Sequence, residues 1–282
     1  MAELVEVDEM PALSARPVDG HKGTFGTVVV VGGSLRMPGA PALCATAALR
    51  SGAGLVKVAG PLQVLASVLT IQPSATGVGL KDLGAAKGDG KSVLAIGPGL
   101  GREAGVGTMV RGFLDWPNPL VVDADGLNAL AEEGGWSRSP DSPWVLTPHP
   151  GEFRRLAKTL EIDGDPTDPQ SRPAAAAALA EATGAVVVLK GAGTIVTDGR
   201  RVFRNATGSN PVLATAGTGD VLTGLIAGLI AQGTDPFNAA VLGTAIHGET
   251  ADRWSQQNGS RGLLAVELAN ALPATLRDHA AR

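Results

Sequence analysis

The chain repeatedly sets a short aliphatic run directly before a turn built from glycine, proline or acids. Thr27 to Val31 closes on Gly32-Gly33-Ser34, and Ser92 to Ile96 on Gly97-Pro98-Gly99-Leu100-Gly101. Pro119 to Asp123 runs on into Ala124-Asp125-Gly126, Trp144 to Thr147 into Pro148-His149-Pro150-Gly151-Glu152, and Ala185 to Leu189 into Lys190-Gly191. Runs this short and this apolar read as strands buried on both faces, which requires helices above and below a parallel sheet. Leu55 to Val58 is a further strand. Thr194 to Thr197 and Val202-Phe203 flank Asp198-Gly199, a hairpin signal. Helical stretches lie between: Pro38 to Ser51 with Leu43, Ala47 and Leu49 facing inward, alanine-rich Ala174 to Thr183, and Asp235 to Trp254, with Asp235 as N-cap and Pro236 at the first helical position. The fold class is therefore α/β, with a mostly parallel central sheet and helices on both faces. Loops at the carboxyl ends of such strands are where open α/β sheets bind ligands, and the turns above all fall there.

A chain of 282 residues is long for one domain, but no linker divides it. Residues 1–20 read as an N-terminal arm with at most one helical turn, and 21–282 as a single domain. The formal net charge of −4 gives no support to nucleic-acid binding. One cysteine, Cys44, excludes an intrachain disulfide, fits a reducing compartment and looks like a small core hydrophobe. The acidic first residues lack a signal peptide's basic region, and no apolar run reaches the roughly 18 to 20 residues of a membrane span. The expected location is the cytoplasm.

The most telling turn is Ala216-Gly217-Thr218-Gly219-Asp220, ahead of a thirteen-residue run that reads as amphipathic. Two glycines let backbone amides converge, and the helix start adds unpaired amides and a positive dipole end, a place to hold phosphate. A carboxylate beside a phosphate suggests phosphoryl transfer, with Asp220 taking a proton from an attacking hydroxyl. The plainer reading makes Asp220 a helix cap. Gly224 and Gly228, four apart, form a smooth face for another backbone to approach. Lys190 is either a solvated strand-end lysine or a phosphate contact. His149 is held rigidly between prolines. Asp123 and Asp125 cap the next helix or hold Mg²⁺ through water. His247 reads as a packed core residue. Neither a P-loop nor zinc spacing nor the dinucleotide fingerprint is present.

Taken together, HKGTFG from His21, GPGLG, VVDADGLNAL, LTPHPGEFRRL, VVLKGAGTIV and TAGTGDVLTGLIAGLIAQG resemble the ADP/ATP-dependent NAD(P)H-hydrate dehydratase family, whose domain is ribokinase-like. The match runs to Glu249, about four fifths of the chain. The resemblance implies repair of NADH or NADPH hydrated at C6 of the nicotinamide ring. A nucleotide would phosphorylate the C6 hydroxyl, and phosphate would then leave. Bacterial members use ADP and eukaryotic ones ATP; ADP is expected here, with Mg²⁺ bridging its phosphates. Carried over by position, Ala40, Gly99 or Gly101, His149 and Asp220 would contact the hydrate. Lys190, Gly191, Ala192, Gly193, Thr194 and Gly219 would contact the adenine nucleotide, while the amides of Ala216, Gly217, Thr218 and Gly219 would hold the moving phosphoryl. Asp220 would be the catalytic base; no metal ligands are assigned. An epimerase domain is expected on another polypeptide. No segment suits a separate lid, so a homo-oligomer, with a tetramer favoured from the family, is expected to exclude water. A helix N-terminus lowers a carboxylate's pKa, so Asp220 is expected to be a weak, late base and activity to stay flat from neutral pH toward the acid range. The alternatives are a ribokinase-like kinase acting on a small alcohol, such as a thiamine precursor, and a nucleotide sensor, to which Asp220 would be of no use.

Overall fold

A computed structural model describes residues 4–86, 92–134, 136, 138–139 and 141–280. In chain order its strands and helices are β1 (Val5–Glu6), β2 (Thr27–Val31), α1 (Gly39–Arg50), β3 (Leu55–Ala59), α2 (Leu62–Ile71), β4 (Thr76–Val78), β5 (Ser92–Ile96), α3 (Val106–Leu114), β6 (Leu120–Val122), α4 (Ala124–Glu133), β7 (Trp144–Leu146), α5 (Pro150–Thr159), α6 (Arg172–Thr183), β8 (Val186–Leu189), β9 (Ile195–Thr197), β10 (Arg201–Arg204), α7 (Thr218–Ala231), α8 (Pro236–Asn258) and α9 (Ala265–Ala280). All the described strands join one sheet in the order β1-β10-β9-β8-β7-β6-β5-β2-β3-β4. Pairing is parallel throughout except where β9 runs against β8 and β10.

Alternation along each strand divides the core. Val28 and Val30 join Val56, Val58, Val93 and Ala95 beneath α1, α2, α7, α8 and α9, while Val29 and Val31 join Leu94, Ile96 and Val122 beneath α3, α4, α5 and α6. Helices therefore cover both faces, as the strand pattern predicts. Chain direction across the sheet reverses between β2 and β5: the chain steps outward from β2 to β3 and β4, then returns to β5 and proceeds to β6, β7 and β8. A crevice opens beyond the carboxyl ends of strands at such a switch point.

Some local expectations change. Near the start of the N-terminal arm, Val5 and Glu6 form an edge strand beside Arg201 and Val202, a strand not expected from the sequence. The run after Asp220 is not amphipathic; α7 is buried from Val221 to Ile230, because it lies between α1, α8 and the sheet. On α1 the inward side is Ala42, Cys44, Ala45, Ala47 and Ala48, with Leu43 and Leu49 half-buried at its margins. These small residues let α7 come close. A Cβ on Gly224 would lie 2.0 Å from the Cys44 carbonyl oxygen, and one on Gly228 1.9 Å from Ser51 Oγ. The Asp198 hairpin and the Asp235 cap form as expected; Asp235 accepts from the Phe237 and Asn238 amides. Among the described residues no helix is long and apolar enough to cross a membrane.

Candidate active site

The loops after β2 and β5 meet at the switch point. The Gly33 amide donates to the Pro98 carbonyl at 2.8 Å. Ala40, in the first turn of α1, lies beside Gly99: a Cβ on Gly99 would be 3.0 Å from that of Ala40. The Gly101 amide donates to Asp125 Oδ2 at 2.8 Å, so Asp125 fastens the β5 loop. Asn128 joins Asp125 to Arg155: its Nδ2 lies 3.4 Å from Asp125 Oδ1 and its Oδ1 accepts from Arg155 Nε at 2.9 Å. Ala40, Gly99 and Gly101 thus sit together on one side of the crevice.

Charged groups from the ends of β6, β7 and β8 converge with the start of α7. Asp123, 1% exposed, accepts from Lys190 Nζ at 2.6 Å and from Thr223 Oγ1 at 2.7 Å. Lys190 Nζ also lies 3.9 Å from Glu152 Oε2. Asp123 stands at the N-cap position of α4 but makes no side-chain cap bond, so the capping reading for it fails. Around Lys190, burial pushes the ammonium's pKa down, yet Asp123, Glu152 and Asp220 outweigh it and the net shift is upward. Burial raises Glu152, with Lys190 pulling the other way.

His149 caps α5. Its Nδ1 accepts from the Gly151 amide at 2.9 Å and the Glu152 amide at 3.3 Å, while Glu152 Oε2 accepts from the His149 amide at 2.8 Å. This reciprocal box leaves the ring proton on Nε2, which lies 3.2 Å from Glu152 Oε1. Burial lowers the imidazole's pKa, and Lys190 and Arg155 lower it further. At neutral pH the ring is an uncharged donor.

Asp220 is the principal correction. The macrodipole was expected to depress its pKa; instead the value is pushed up to about 8. Loss of water is the largest cause, followed by the negative charge of Asp123; Lys190 pulls it down, and Asp125 and Glu152 add to the rise. Burial among carboxylates outweighs a helix terminus worth roughly 0.3–1 kcal/mol.

On the other side of the α7 N-terminus lies a cavity of about 410 Å³. Lys190, Gly191, Ala192, Thr194, Thr218 and Gly219 line it, whereas Gly193, Ala216 and Gly217 are not among its lining residues. Gly219 stands at the boundary, since a Cβ there would be 3.4 Å from Lys190 Nζ and 3.8 Å from Asp123 Oδ2. The size and the mix of polar rim and apolar floor, the latter from Leu213 and Leu222, suit a nucleotide-sized ligand. Sequence reasoning missed Asn205, Asn210 and Thr244 in this wall. It also treated His247 as core alone. His247 is buried, with its pKa lowered to about 4 chiefly by that burial, and it lines the cavity. Its Nε2 meets the Thr218 carbonyl at 2.9 Å, which ties α8 to the first residue of α7. Asn205 and Asn210 precede the turn in the same polar stretch, so their spacing was the signal available.

Among the described residues no group of three or more His, Cys, Asp or Glu side chains is arranged to hold a metal.

A family described as NAD(P)H-hydrate dehydratase matches residues 28–274. The chain is 42% identical, over 94% of its length, to the bifunctional NAD(P)H-hydrate repair enzyme of Moorella thermoacetica, of which it covers 52%. It is 39% identical to the ADP-dependent (S)-NAD(P)H-hydrate dehydratase of Neisseria meningitidis, covering 91% of this chain and 87% of that protein. The crystal structure of the ADP/ATP-dependent NAD(P)H-hydrate dehydratase from Bacillus subtilis, co-crystallized with ATP/Mg²⁺, superposes with a TM-score of 0.80 at 33% identity, over 95% of both chains. The architecture is ribokinase-like. The chain spans about half the length of the bifunctional relatives it matches.

Proposed function

The chain belongs to the NAD(P)H-hydrate dehydratase family, and on that premise we propose that it returns (S)-NAD(P)H hydrate to NAD(P)H at the expense of ADP, giving AMP and phosphate. The observation that carries this reading is the place of Asp220 in the first turn of α7, directly after Thr218 and Gly219, which line the nucleotide-sized cavity, with Gly219 facing Lys190 and Asp123.

The C6 hydroxyl of the hydrate gives its proton to Asp220 as its oxygen bonds to the β-phosphorus of ADP and AMP departs. A general base works best with a pKa near the operating pH, so the raised value makes Asp220 a stronger base than a dipole-depressed carboxylate. Amides of Ala216, Gly217, Thr218 and Gly219 would hold the phosphoryl where charge builds up. Lys190 and the loop to Thr194 would hold the nucleotide. His149 would donate from Nε2 to the substrate. The C6–O bond then breaks, phosphate leaves with the C6 oxygen, and loss of the C5 proton restores the ring double bond. Phosphate is a far better leaving group than hydroxide, which is the purpose of the transfer.

Mg²⁺ supplies charge neutralisation across the phosphate oxygens. The residues suit an ion carried by the nucleotide and water rather than by a protein cage. Asp123 is taken up by Lys190 and Thr223, and Asp125 by the Gly101 amide, so either would reach the ion only through water.

We place residues 21–282 in one catalytic domain with residues 1–20 as its arm, working in the cytoplasm in functional linkage with an NAD(P)H-hydrate epimerase. A homo-oligomer, a tetramer in the favoured form, is supported by exposed Leu35 and Met37 beside α1 and exposed Leu264 and Val266 at the start of α9; light scattering tests it. The function itself is tested by incubating the purified protein with hydrated NADH, Mg²⁺ and ADP or ATP while following NADH absorbance. NADH returns with a nucleotide and not without one; failure with both nucleotides rejects the proposal.

A further inference from the structure

The first turn of α6 carries a charge that the chemistry above leaves unused. Arg172 opens that helix and is 6% exposed. A cation there faces the positive end of the helix dipole, so the helix itself does not call for it. The guanidinium instead reaches the back of the loop that follows β8. Its Nη1 donates to the Ala192 carbonyl at 2.5 Å, and Nη2 donates to the carbonyls of Leu189 at 3.0 Å and Lys190 at 3.1 Å. Nε is buried without a partner. Burial lowers the pKa of the group, and Arg204 adds to that; a guanidinium remains charged regardless.

The loop is shaped around this group. Gly191 has φ +140°, and a Cβ on it would stand 3.1 Å from Nη2. The carbonyls of Leu189, Lys190 and Ala192 are drawn toward the arginine. On its other side the same loop lines the 410 Å³ cavity through Lys190, Gly191, Ala192 and Thr194. A fixed positive charge therefore stands directly behind the cavity wall. Carbonyl oxygens would repel a phosphate placed there, and the arginine holds them away.

We propose that Arg172 is a positioning residue for the nucleotide: it keeps the carbonyls of the β8 loop turned from the phosphates and adds its charge to their attraction. This rests on the cavity being the adenine-nucleotide site. Lysine cannot take its place, because one ammonium does not span three carbonyls as a planar fork does.

The test is calorimetric titration of the wild-type protein, Arg172→Lys and Arg172→Met with ADP and Mg²⁺. Alongside it, the KM for the hydrate is measured at saturating ADP and the melting temperature is recorded. Both variants are expected to bind ADP about tenfold or more weakly, with Arg172→Met the weaker, as for a lost charge-assisted fork, while the KM for the hydrate stays within about twofold. Methylguanidinium added to Arg172→Ala is expected to restore ADP binding. Unchanged ADP affinity in a folded variant overturns the proposal, as does an equal loss for ADP and hydrate, which marks a merely structural role. Should Arg172→Met not fold, Arg172→Lys decides alone. If the wild-type protein does not bind ADP, the nucleotide reading of the cavity falls, and this proposal with it.

Discussion

Asp220 owes its properties to what surrounds it more than to the helix it begins. Burial and Asp123 hold its proton on up to about pH 8. In the free enzyme only the ionised form can act as a base, so kcat/KM should rise with pH, reach half its maximum near 8 and level off above it rather than remain flat toward acid. Asp220→Asn should fold and bind nucleotide yet lose turnover by about 100-fold or more; steady-state kinetics checks this, and retention of most activity reduces Asp220 to a cap. The raised pKa also has a stability consequence. The folded state holds this proton more tightly than the unfolded chain, whose carboxyl ionises near 4, so the contribution is full below that pH and lost as pH rises through about 8. Asp220→Asn should therefore raise the melting temperature at pH 9 by about 4 °C or more, and change it little at acid pH. Asp123→Asn removes the negative charge that acts most strongly on Asp220 and frees Lys190, both of which lower the Asp220 pKa. The acid limb of kcat/KM should move down by roughly one pH unit, and an unmoved limb would separate the two carboxylates. Lys190 and His149 stood out in the sequence because each follows a strand in a distinctive turn, and Asp220 because two glycines and a helix start surround it. The tie of Asp123 to Lys190 and Thr223 was not, since it joins positions 67 and 100 residues apart. The sign of the Asp220 shift was missed for the same reason: the dipole is local and visible, whereas burial among distant acids is not.

Among elements, α7 sets the position of the turn, and α1 sets the position of α7. Gly224 meets the backbone of Cys44, which cannot move aside as a flexible side chain could. Gly224→Ala should cost roughly 1–3 kcal/mol of stability in urea denaturation, as overpacking does. It should also lower kcat, because separating the helices moves the amides before Asp220. A variant as stable and active as the wild type would mean that α1 does not fix the turn. The paired glycines foretold this contact. Burial around the whole of α7 was not foretold, because α8 and α9 come from later in the chain and periodicity within one helix does not reveal them. The edge strand at Val5–Glu6 escaped notice likewise: two residues carry no period, and their register comes from Arg201 and Val202.

At the scale of the molecule, the sheet gathers the ends of β2, β5, β6, β7 and β8 around α7 and separates two compartments. The cavity takes in Lys190, Thr218 and Gly219, Ala40 and Gly99 meet at the β2 and β5 loops, and Asp220, one residue after Gly219, carries the electrostatic influence of Asp123, Lys190, Asp125 and Glu152. Much of that layout was legible because the turns after β2, β5, β6, β7 and β8 each follow a strand, and parallel strands deliver such turns to one edge. The polar wall made by Asn205, Asn210 and His247 was less so, being assembled from a loop and from one face of α8. A transfer between compartments implies that the C6 oxygen itself leaves with the phosphate. The direct measurement is one turnover of hydrated NADH carrying heavy oxygen at its C6 hydroxyl, with ADP and Mg²⁺, followed by mass analysis of the products. The account predicts the label in inorganic phosphate and none in AMP; label released as water, with unlabelled phosphate, would contradict it.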